Sequence, residues 1–194
     1  MRILGVDPGS KNTGYGCVDI IGNQLRLVSH GTIKIYNNNN ADLMEKRLLT
    51  LYQDLSNIIM NFKPETLVVE KIFFAKNALS ALKLGQARGV VLLTGAAYGL
   101  NIIECSSTEV KAKITGYGRA TKAMVSKVIQ ILFGKQNFLT FDASYSLDLA
   151  MSHAYQIMSQ NKKCFKNHPL EKLEILSKKR KKLSLAESIG LGRK

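Results

Sequence analysis

The chain has 194 residues, 45% of them apolar, which is enough for one folded domain with a buried core and too few for two full domains and a linker. Its 28 Lys and Arg against 14 Asp and Glu give a formal charge of +14, so a polyanionic partner is expected; nucleic acid comes first, although a ribosome or an anionic membrane surface would attract the same charge. Cys17, Cys105 and Cys164 are odd in number, widely spaced and without a CxxC pair, which suggests neither a disulfide framework nor a zinc site and fits a reducing cytoplasm.

Arg2 to Asp7 is a short apolar run stopped by Pro8-Gly9, which predicts a buried strand with Asp7 at its C-terminal end. The chain starts directly with this strand, and no apolar stretch approaches the roughly 20 residues that span a bilayer, so export and membrane insertion are not expected. Strand-like runs follow over roughly 14–20 and 25–35, then an Asn-rich turn at 37–40. Met44, Leu48, Leu51, Leu55, Ile58 and Phe62 recur every three or four residues until Pro64, the pattern of an amphipathic helix. Thr66 to Glu70 predicts a second buried strand ending in a carboxylate, followed by a helix over about 77–98. Asn101 to Cys105 is a further strand, and Ser106-Ser107-Thr108-Glu109 has the spacing of a capping box opening a helix that ends near Gly116. A helical pattern covers 119–133, and Asp142 stands where it can cap a last helix running to about 159. Strands first, then strands alternating with helices, imply an α/β domain with a mixed β-sheet flanked by helices.

Beyond residue 160 the character changes, with 11 Lys and Arg against 3 Glu and the run Lys178-Lys179-Arg180-Lys181-Lys182. The expected organisation is a domain over 1–160 and a basic, disordered arm over 161–194 that attracts phosphate without regard to sequence.

Asp7 and Glu70 each close an apolar strand, and the carboxyl ends of strands in open α/β sheets line a crevice. Carboxylates at the edge of a core need a hydrogen-bond partner or a cation; two of them meeting Asp142 would suit Mg2+, a hard ion with oxygen ligands. Such a site can hydrolyse a phosphodiester without a protein nucleophile. Each residue also has a plain structural role open to it: Asp7 in the Asp-Pro-Gly turn, Glu70 as a satisfied strand end, Asp142 as a cap.

The stretch Asp7-Pro8-Gly9-Ser10-Lys11-Asn12-Thr13-Gly14-Tyr15-Gly16 resembles the opening of the RuvC family of Holliday junction resolvases. The segment from Ala75 through Lys76, Leu79, Leu82 and Gln86 to Arg88-Gly89 resembles that family's most recognisable stretch, and the similarity runs from residue 1 to about 158. The resemblance implies an RNase H-like fold, a homodimer that makes paired nicks in four-way junction DNA, and a branch-migration complex of the RuvA and RuvB kind as partner. It assigns Asp7, Glu70 and Asp142 as catalytic, metal-binding carboxylates for Mg2+, with Mn2+ able to substitute. Phe73 stands where the family has an aromatic that opens the junction, and Lys111 and Lys122 match basic residues near the scissile phosphate. Lys76, Lys83 and Arg88 are expected on a phosphate-binding or dimer-adjacent surface.

One position departs from the family pattern. Where a fourth carboxylate is expected, three residues after Asp142 and on the same helical face, this chain has Tyr145, and a neutral phenol is a poor Mg2+ ligand. Asp148 is a candidate substitute if the helix slides or a water bridges, although six residues turn it roughly 120° from Asp142. His153 is expected to be a packed helix residue. The sequence thus leaves three functions in play: a metal-dependent resolvase, a junction-binding protein whose cleavage Tyr145 impairs, and a general RNase H-like nuclease.

Overall fold

The structure is a computed structural model that describes residues 1–35, 43–71, 78–134 and 141–160, with the backbone alone for residues 141 and 142. The expected Asn-rich turn, Phe73, Phe74, Lys76, Cys164 and the basic arm lie outside the described residues.

Three strands open the fold: β1 (Arg2–Asp7), β2 (Asn12–Ile21) and β3 (Gln24–Lys34). They form an antiparallel meander in which Ile21 pairs with Gln24 across a tight turn, and Gly22 supplies the positive φ, 58°, that such a turn needs. Helix α1 (Met44–Phe62) follows and buries Leu51 and Leu55 of the predicted stripe together with Ile59, while Leu48, Ile58 and Phe62 pack against that core partly buried. It stops at Lys63, a left-handed residue whose N–H donates to the Ile59 carbonyl at 2.7 Å, because Pro64 cannot continue it. The chain then alternates: β4 (Thr66–Glu70), α2 (Ala78–Ala97), β5 (Asn101–Cys105), α3 (Ser107–Thr115), α4 (Lys122–Phe133) and α5 (Phe141–Gln160).

The strand order is β3-β2-β1-β4-β5, with β1, β4 and β5 parallel and β2 and β3 antiparallel to their neighbours, which makes the sheet mixed. Alternation along the strands feeds two cores. Leu4, Val6, Leu67 and Val69 point to the α1 and α2 side, while Ile3, Val18 and Val68 point to the side of α3, α4 and α5.

The capping box forms in full, with Ser106 Oγ accepting from the Glu109 N–H at 3.3 Å and the Glu109 carboxylate accepting from the Ser106 N–H at 2.7 Å. Two boundaries differ from the sequence expectation. Helix α4 starts at Lys122, three residues late, because Thr121 is its N-cap and Ala120 closes a turn onto the Tyr117 carbonyl. Helix α5 is already helical at Phe141, so Asp142 lies within the helix and is not its cap.

Candidate active site

The last residue pair of the parallel β1–β4 ladder is Val6 with Val69, so Asp7 and Glu70 are the next residues on two strands about 4.8 Å apart. Alternation puts both on the face of Gly5 and Val68, the face that α5 covers. The chain beyond Asp7 is tied down locally: the Gly9 N–H donates to Thr13 Oγ1 at 3.3 Å, and the Lys11 carbonyl accepts from Ile35.

Helix α5 reaches these strand ends because the sheet lets it sit unusually close. Gly5 and Gly16 face each other in the β1–β2 register, and α5 lies directly on the pair. A methyl on Gly5 would stand 2.0 Å from the Ser146 carbonyl oxygen, and one on Gly16 would stand 2.6 Å from the Leu147 Cα. Only glycine leaves room for the helix backbone at this depth. The consequence is seen one residue before Ser146: the Tyr145 hydroxyl donates to Glu70 Oε1 at 2.7 Å. Burial, that hydrogen bond and the nearby carboxylates of Glu70, Asp7 and Asp148 hold the phenol pKa far above its usual value, so Tyr145 keeps its proton.

Asp142 lies three residues before Tyr145 on α5, hence on the same helical face. Asp148, a further turn along, is buried with no hydrogen-bond partner for Oδ1 among the described residues, and burial pushes its carboxyl well above the usual range. Among the described residues no three His, Cys, Asp or Glu side chains come together as a metal site. His153 is buried in α5 as a packed residue, with its pKa lowered by burial and by the Lys113 charge. Lys111 is half-buried on α3, which packs against α5, and Lys122 is exposed at the first residue of α4.

Arg88 is held from both ends: its guanidinium pairs with Glu104 at 2.6 Å, and its Nε donates to the Glu70 carbonyl oxygen at 3.3 Å. The sequence carries no local signal for this, since the two residues are 18 apart and on different elements.

The donor set fits a hard divalent cation. Asp7 and Glu70 are oxygen donors on one face of adjacent strands, and Glu70 has no ion pair among the described residues. A sequence model of one family, crossover junction endodeoxyribonuclease RuvC, matches residues 3–153. The chain belongs to the RuvC family. A RuvC protein of Syntrophotalea carbinolica is 46% identical over 155 residues, covering 80% of this chain and 94% of its own. Among solved structures, T. thermophilus RuvC in complex with Holliday junction substrate superposes with a TM-score of 0.74 at 24% identity, over 81% of this chain and 94% of that one. The yeast mitochondrial Holliday junction resolvase Ydc2 gives 0.52 at 15% identity, over 78% and 74%. The mixed five-stranded sheet with its helices is thus the RNase H-like fold of RuvC. RuvC enzymes are hydrolases that resolve Holliday junctions, and the family generally uses a divalent metal.

Proposed function

We propose that this chain is a working resolvase in which Asp7, Glu70 and Asp142 hold Mg2+, with Mn2+ able to substitute, and four-way junction DNA is cut by paired nicks. The observation that supports this most directly is the pair of strand-end carboxylates, Asp7 and Glu70, on the face covered by α5. Asp142 is the third ligand in this reading, the position at which the family resemblance places one. A bound ion supplies water activation and stabilises the leaving oxygen. Lys111 and Lys122 offset phosphate charge, Lys76 is a further DNA contact, and Phe73 wedges the junction open. The basic residues over 161–194 contribute sequence-independent attraction.

The active form is a homodimer, which presents two equivalent sites to two symmetric strands. Support comes from α2, where Leu79, Leu82 and Leu93 are 61%, 60% and 67% exposed along one stripe, with Gly89 between them opening onto empty space. RuvA and RuvB proteins are the branch-migration partners in this reading. The reduced, buried Cys17 and Cys105 fit a cytoplasmic setting, and no helix of the described residues is long and apolar enough to cross a membrane.

A second reading has one observation in its favour. Because a phenol already occupies Glu70 Oε1, the chain would bind junctions and cut them poorly or not at all. Cleavage of a labelled mobile junction in Mg2+ by the native chain, Asp7→Asn and Tyr145→Asp separates the readings, with binding followed in parallel. We expect paired nicks from the native chain and binding without nicks from Asp7→Asn. Binding without nicks from the native chain, with cutting restored by Tyr145→Asp, would favour the second reading, and equal cutting of linear duplex would point to a general nuclease.

A further inference from the structure

Glu70 is held from two sides by residues that are not themselves suited to bind a metal. Its backbone carbonyl accepts from Arg88 Nε at 3.3 Å, and Arg88 is in turn fixed by its ion pair with Glu104. Its carboxylate accepts from the Tyr145 hydroxyl at 2.7 Å through Oε1, whereas Oε2 takes no hydrogen bond among the described residues. The Tyr145 ring packs against the core under α5, so the hydroxyl cannot swing away without opening that packing. The Gly5–Gly16 contact sets the depth of the helix that carries it.

We propose that Tyr145 is a positioning residue for Glu70: its hydroxyl fixes Oε1, so that the carboxylate offers Oε2 in one orientation to a divalent ion bound with Asp7. This rests on the reading that Asp7 and Glu70 are metal ligands. A phenol at this position is then a support for the metal site and not merely a lost ligand. Groups that orient a ligand in this way change metal affinity by about 10–100-fold.

The test is Mn2+ binding to the full chain, read as loss of the free-ion EPR signal, for the native protein, Tyr145→Phe, Glu70→Ala and the double variant. We expect Tyr145→Phe to weaken Mn2+ binding about ten-fold in the native background and to have no effect in the Glu70→Ala background, where there is no carboxylate to orient. An equal loss in both backgrounds would reveal a general structural role and overturn the inference. So would unchanged or tighter binding in Tyr145→Phe, which would mean that the phenol is idle or competes with the ion. If the native chain binds no Mn2+, the metal reading itself fails and takes this inference with it. Tight native binding together with an idle Tyr145 would sink the inference alone.

Discussion

Asp19 shows how a charged side chain can be buried in this fold and still stabilise it. Arg2 donates to both of its oxygens, at 2.8 and 2.9 Å, and Arg26 donates to Oδ2 at 2.8 Å. These hydrogen bonds, Arg2 first, outweigh the cost of burial and lower the Asp19 pKa to about 2. A depressed carboxylate pKa means that the unfolded chain binds the proton more readily, so the stabilisation is present above about pH 4 and is lost as pH falls through about 2. Asp19→Asn should therefore be less stable than the native chain by on the order of 2 kcal/mol at pH 7, with the gap closing towards pH 2; denaturant melts at three pH values would check it. A gap that stays constant with pH would show that packing, and not the charge, is what Asp19 supplies. At the candidate site, residue types and spacings were legible: Asp7 and Glu70 close apolar strands, and Tyr145 follows Asp142 by three. What Tyr145 does was not legible, because its partner lies 75 residues away. The bond from Arg88 to the Glu70 carbonyl was not legible either, because a basic residue on a helix looks the same from its neighbours whether or not a carbonyl lies across from it.

Local pattern accounts well for the elements themselves. Strand ends, the α1 stripe and the capping box before α3 all depend on residues within a turn or two of each other, which is the range over which periodicity and capping act. The start of α4 was missed because Thr121, a good N-cap, lies inside a pattern that already reads as helical. The docking of α5 depends on a pairing that no local pattern contains, Gly5 opposite Gly16. Gly5→Ala would drive a methyl to 2.0 Å from the Ser146 carbonyl oxygen, a backbone atom that cannot rotate aside. The helix must lift, at a cost on the order of 3 kcal/mol, and the Tyr145–Glu70 hydrogen bond should lengthen or break. A urea melt would report the first effect and Mn2+ affinity the second. Native stability in Gly5→Ala would mean that the helix has slack at this point.

At the scale of the whole molecule, two apolar cores lie on opposite faces of one sheet, and the carboxylates emerge where β1 and β4 end side by side. Among the described residues, helix α2 buries Ala87, Val91, Thr94 and Gly95 while leaving Leu79, Leu82 and Leu93 on its outer stripe. If that stripe is the dimer face, Leu82→Glu should give a monomer by sedimentation and uncouple the paired nicks, without unfolding a side chain that is 60% exposed. A Leu82→Glu protein that remains dimeric would move the interface elsewhere.

The sequence by itself determined the fold class, the run of elements, the basic charge and the two strand-end carboxylates, because each follows from periodicity, composition or residues adjacent in the chain. The tertiary structure decided the depth of α5 on the Gly5–Gly16 pair, the bond from Tyr145 to Glu70 and the capture of the Glu70 carbonyl by Arg88. Those contacts join residues far apart in the chain, and only the packing of helix on sheet brings them within hydrogen-bond reach.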